Sequence, residues 1–119
     1  MANIKDTLSA AMQIQGAAGV ALMDLKTGMT LGIAGEVPDL DVEAATNADI
    51  LKAKTRGLMA LGSRDSVEDV VFTLGQRYQV IRLVGGHQHL MLYLSLRRAA
   101  TNLALARHRL SVIEEDLVV

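Results

Sequence analysis

Residues 77–96, RYQVIRLVGGHQHLMLYLSL, restrict the fold of this chain more than any other stretch. Two largely apolar runs flank Gly85 and Gly86, a pair typical of the turn between two antiparallel strands. In the second run every other position is a leucine, so its two faces differ in composition. One face carries Leu90, Leu92, Leu94 and Leu96, and the other carries His89, Met91, Tyr93 and Ser95. The stretch therefore predicts a β-hairpin within an antiparallel sheet.

The remaining elements follow from the spacing of apolar residues and from glycine-marked turns. Helical spacing predicts helices over residues 3–14 and 36–62, and a last helix from about Ala100 to Leu117. The predicted strands are 20–25, 29–34, 67–75, 77–85 and 87–96. The order α-β-β-α-β-β-β-α predicts one α+β domain over residues 1–119, a five-stranded antiparallel sheet with helices on both faces. Gly28 is expected in the turn of the first hairpin.

The composition indicates a soluble chain that is unusually rich in apolar residues for its size. Half of the 119 residues are hydrophobic and only 3% are aromatic. The longest apolar run, GAAGVALM, is far shorter than the roughly 20 residues of a membrane span, and the start MANIKD lacks the features of a secretory signal. We therefore expect a cytoplasmic protein that buries part of its apolar surface in an oligomer.

Charge and residue types exclude several functional classes. The net charge is −1, and no basic stripe is interleaved with aromatic residues, which argues against nucleic-acid binding. The chain has no cysteine, so disulfides, thiolate catalysis and cysteine-based zinc sites are excluded. No serine lies in a nucleophile-elbow motif, and the glycines at 28, 32 and 35 lack the lysine of a phosphate-binding loop. The sequence predicts neither an active site nor a cofactor.

Two polar clusters can each be interpreted either as a metal site or as an ordinary structural feature. His87 and His89 are two residues apart, so on a strand they would share a face and could share a metal ion. The alternative, which we favour, places both histidines at the solvent-exposed start of a strand that follows a glycine turn. Asp39, Asp41 and Glu43 superficially resemble an acidic metal loop, but acids at a helix start explain them better.

The connections and glycine-marked turns resemble the roadblock/dynein light-chain family, particularly its small stand-alone bacterial members. The resemblance rests on GAAGVALMDLKTGMTLG, KAKTRGLMALG, VEDVVFTLGQRYQVIRLVGGHQHLMLYLSL and TNLALARHRL, and it covers roughly residues 4–117. It implies a profilin-like fold and a homodimer in which the third strands pair across a two-fold axis beside the second helices. The implied interface residues are Val70, Val71, Phe72 and Thr73 on the strand and Leu51, Ala53, Lys54, Gly57 and Leu58 on the helix. Which helix face lies at that interface, the small residues Ala53 and Gly57 or the face of Leu51 and Leu58, stays open.

The resemblance also implies a function. Family members are platforms for small Ras-like GTPases; some stimulate GTP hydrolysis without an arginine finger, and others are scaffolds. The expected protein is a non-enzymatic dimeric regulator or scaffold with a small GTPase or another signalling protein as partner. The alternative is a profilin-like sensor module that binds a small ligand between sheet and helix.

Overall fold

The computed structural model describes residues 1–87 and 89–119. The predicted order of helices and strands is confirmed. The elements are α1 (Ile4–Met12), β1 (Ala17–Asp24), β2 (Thr30–Gly35), α2 (Leu40–Ala60), β3 (Asp69–Thr73), β4 (Arg77–Leu83), β5 (Leu90–Arg97) and α3 (Leu103–Glu115). A 3-10 turn, Arg98–Ala100, precedes α3, which therefore starts three residues later than expected.

The five strands form one antiparallel sheet in the order β2-β1-β5-β4-β3. The central strand is β5, which pairs Leu92 with Leu22 of β1 and Tyr93 with Ile81 of β4. All residues of β5 from 90 to 96 are buried, so this strand has no solvent-facing side. The two ends of the sheet are β2 and β3.

Each face of the sheet packs against its own set of helices. The leucine face of β5 forms one apolar core with Leu8 of α1 and Leu110 of α3. The face of Met91 and Tyr93 forms a second core with α2. The alternation read from the sequence is thus confirmed, and both faces are apolar because each is covered by helices. In the described part of the chain, no helix is both long and apolar enough to cross a membrane.

Two glycines have backbone conformations that other residues adopt at a cost. Gly28 (φ 75°) lies in the β1–β2 turn, where the Asp24 carboxylate accepts the Lys26 N–H at 2.8 Å. Gly35 (φ 93°) ends β2 opposite Gly19, and a Cβ there would be 2.6 Å from the Gly19 Cα and would also meet the Ala18 carbonyl oxygen. The predicted turn at Gly28 is confirmed, and the β1–β2 pairing at Gly35 needs a residue without a side chain.

Candidate functional site

Strand β3 leaves one row of backbone hydrogen-bonding groups unpaired at the end of the sheet. The Leu74 N–H donates to the Arg77 carbonyl at 2.9 Å, and the Leu83 N–H donates to the Glu68 carbonyl at 3.1 Å. Even-numbered residues of this segment therefore face β4, and by alternation the N–H and C=O groups of 69, 71 and 73 point away from it. Within the described residues these groups have no strand to pair with, because β3 is the last strand of the sheet. Such an edge can accept a further strand.

The edge strand is held firmly on its inner side. Val70 and Phe72 pack against the core beneath α2, whereas Val71 packs against the core shared by α1 and α3. Asp69 forms a bidentate ion pair with Arg107 of α3, with N–O distances of 2.8 and 2.9 Å. The open side of β3 is therefore a fixed template that can pair without rearranging.

Hydrogen bonds to β4 and β5 show which side of α2 faces this edge. The Glu43 carboxylate accepts the Tyr93 hydroxyl at 2.6 Å and the Arg77 Nη1 at 2.8 and 2.9 Å. One turn later Asn47 Nδ2 donates to Gln79 Oε1 at 3.4 Å. Burial, and then the bond to Glu43, raises the pKa of Tyr93 above its usual range. Glu43 is thus more than an acid at a helix start, since it joins α2 to two strands.

One face of α2 continues from Glu43 and Asn47 toward the end of the helix. Steps of three and four residues from these positions stay on one side of a helix. The next residues on this side form what we call the edge-side face, which is exposed: Ile50, Lys54, Gly57 and Leu61. Ala53 lies beside it and is also exposed, and a Cβ added at Gly57 would have no neighbour within 4 Å. This exposed face thus carries two large apolar residues and one lysine around Gly57, on the side of α2 whose hydrogen bonds reach β4 and β5.

The residues expected at a dimer interface lie in different surroundings. Leu51 is only 2% exposed and packs in the core beneath α2, so little of its side chain is available to a second protomer. Leu58 is half-buried and lines a cavity on another side of the helix. The four strand residues lie on β3 and the three other helix residues are exposed on α2: Val70, Val71, Phe72 and Thr73, and Ala53, Lys54 and Gly57.

The histidines do not lie on a strand. His87 and His89 belong to the turn that precedes β5, with ring centroids 6.4 Å apart. The His87 N–H donates to the Val84 carbonyl at 3.0 Å, and the Leu90 N–H donates to the His87 carbonyl at 2.8 Å, so this segment is a turn between β4 and β5. Gln88, inside the predicted fifth strand, lies outside the described residues. Among residues 1–87 and 89–119, no three or more His, Asp or Glu side chains form a group that could hold a metal ion.

Comparison with known proteins shows which solved structures share this fold. The sequence matches no protein-family model and no curated protein. Its structure resembles the Roadblock/LC7 domain from Streptomyces avermitilis, with a TM-score of 0.80 at 17% identity, covering 96% of this chain and 93% of that one. The chain has the Roadblock/LC7 fold.

Two structures of MglB share this Roadblock/LC7 fold. The gliding protein MglB from Thermus thermophilus has a TM-score of 0.77 at 22% identity, covering 93% of this chain and 82% of that one. An MglB structure described as having a tetrameric arrangement gives the same values. At these identities the likeness establishes the fold, as the sequence predicted.

Proposed function

We propose that the protein is a homodimeric, non-enzymatic regulator or scaffold that binds a small Ras-like GTPase or another signalling protein. The observation that carries the dimer is the open edge of β3 beside the edge-side face of α2. A two-fold axis at that edge would join two sheets into one of ten strands. It would also bring the two α2 helices side by side.

The surroundings of α2 favour its small-residue face for the dimer contact. The side carrying Leu51 is already used by the chain's own core. The side carrying Gly57 is exposed, and the space directly above Gly57 is empty within 4 Å, which would let a second helix approach there. A glycine inside a helix costs about 1 kcal/mol relative to alanine, which close packing of a partner helix would offset.

The GTPase partner is inferred from the fold together with the resemblance of the sequence to the roadblock family. A fused sheet with two helices on one face would offer a partner a composite surface that neither protomer has alone. Met59, near the end of α2 and outside the edge-side face, is 74% exposed and would give that surface an apolar contact group. Such groups suit a protein partner.

Blocking the edge of β3 should separate the dimer. We expect Thr73→Pro to raise the dimer dissociation constant at least about 100-fold, because proline removes an N–H on the open side while the β3–β4 bonds remain. Thr73→Val keeps the N–H and is the matched control. Sedimentation equilibrium measures both, and circular dichroism checks the fold. A folded Thr73→Pro variant as dimeric as wild type would move the interface away from β3.

A separate variant tests whether α2 contacts the second helix in the dimer. Gly57→Gln adds a side chain into open space within one protomer and replaces glycine by a better helix former. If a partner helix packs there, this variant should weaken the dimer while the monomer stays folded. An unchanged dissociation constant would remove α2 from the interface and leave the strand contact standing.

Partner binding should depend on the nucleotide and on the dimer. We expect tagged protein, incubated with a lysate of the source organism, to enrich a small GTPase in either GTP or GDP, but not equally in both. Thr73→Pro should lose this enrichment and Thr73→Val should keep it, with mass spectrometry as the readout. Recovery of no GTPase with either nucleotide would argue against a GTPase regulator and favour a scaffold for other partners.

A further inference from the structure

A cavity of about 650 Å³ lies beneath the C-terminal half of α2, where β4 ends. Connector 63–68 forms another of its walls. Its volume is within the range of small-molecule sites, roughly 300–1,000 Å³. The large apolar side chains of its lining are Leu25, Leu51, Leu58, Met59, Val67, Leu83 and Val84.

The charged groups of the cavity are unequally buried. Arg56, Asp65 and Glu68 are exposed, whereas Lys52 and Arg82 are half-buried. Arg82 is neutralised by Glu114, with Nε 3.1 Å from Oε1. Among the described residues Lys52 forms no ion pair. The deeper charge without a partner is therefore positive.

A second depression adjoins the cavity at Lys52. It shares Leu25 and Lys52 with the cavity wall, and its other lining residues are Lys26 and His89. The polar side chains that line this depression are all basic: Lys26, Lys52 and His89. Leu25 and Lys52 thus line both the leucine-lined cavity and a neighbouring depression that carries two lysines and a histidine.

We propose that this cavity binds a small anion with an apolar tail, of the fatty-carboxylate class. The carboxylate would lie between Lys26 and Lys52, because hydrogen bonds between an ammonium group and a carboxylate are stronger than those between neutral groups. The tail would cover the leucines beneath α2, whose exposure to water is otherwise unfavourable.

The ligand site and the proposed dimer contact lie on different sides of α2. Lys52 lies two positions before Lys54, a rotation of about 200° around the helix axis. The cavity would therefore stay open in the dimer, and binding there goes beyond the proposed function because it does not require the GTPase. Both surfaces share one helix, so a bound ligand would contact the element that also forms the dimer.

Decanoate, at concentrations below those at which it forms micelles, is the probe. NMR titration of the full chain should shift amide signals around Lys52, Leu58 and Leu83, with an affinity that rises about fourfold per methylene from hexanoate to decanoate. Decanol, which has the same tail without the charge, should bind at least about tenfold more weakly. Lys52→Gln should weaken decanoate about tenfold. The matched control Lys5→Gln, on α1, should not change the affinity.

Three results would overturn the proposal. The first is the absence of saturable shifts with decanoate at millimolar concentration. The second is equal affinity for decanol, which would leave an apolar cavity without a site for the anion. The third is unchanged decanoate binding in a folded Lys52→Gln variant. None of these depends on the GTPase experiments, so the two proposals can fail separately.

Discussion

Glu114→Ala should lower the free energy of unfolding by about 3 kcal/mol. The Glu114 side chain is only 7% exposed and holds two groups together, the Arg82 guanidinium at 3.1 Å and the Gly85 N–H at 3.3 Å. Removing the carboxylate leaves a half-buried cation and a backbone donor without their acceptor, which costs more than the bonds themselves contribute.

The neighbouring residue provides the control. Glu115 is the next residue of α3 and is exposed, so Glu115→Ala should change stability by less than about 0.5 kcal/mol. Urea denaturation at fixed protein concentration measures both variants, with concentration held constant because a dimer's stability depends on it. A loss below about 1 kcal/mol for Glu114→Ala would mean that water replaces the carboxylate.

Gly35→Ala should cost about 3 kcal/mol, the sum of a positive-φ penalty and steric overlap with the neighbouring strand. A Cβ at this position would overlap backbone atoms of Ala18 and Gly19, which cannot rotate away as a side chain can. Because the overlap lies at the β1–β2 pairing, we expect the damage to centre on β2.

Gly28→Ala separates the two causes. Gly28 has a similar positive φ, but a Cβ there would have no neighbour within 4 Å. It should therefore lose only about 1 kcal/mol, the cost of the backbone conformation alone. Thermal unfolding of both variants gives the comparison. Equal losses would show that the strands move apart freely at Gly35.

The sequence predicted the elements well because their signals are local. Alternation in β5, helical spacing in α2 and the turn at Gly28 each depend on neighbours within a few residues. The position of β3 at the end of the sheet agrees with the family resemblance, which implied that the third strands pair between protomers.

The side-chain contacts around the candidate site could not be predicted from such local patterns. Glu43 bonds Arg77 and Tyr93, which are 34 and 50 residues away along the chain, so its local position at a helix start hid this role. Leu51 looked like a surface leucine because α2 carries apolar residues on more than one side. His87 and His89 appeared to continue the alternation of β5, but the chain is still turning there and the strand starts at Leu90.

The central place of β5 has a consequence for how the protein emerges from the ribosome. The β1–β2 and β3–β4 hairpins can form as they are synthesised, but the sheet joins them only through β5, which is synthesised after both. Until then β1 and β4 each have an apolar open edge, and one face lacks α3. The nascent chain must therefore keep two half-sheets apart and soluble, so the interval before β5 emerges is the stage most exposed to aggregation.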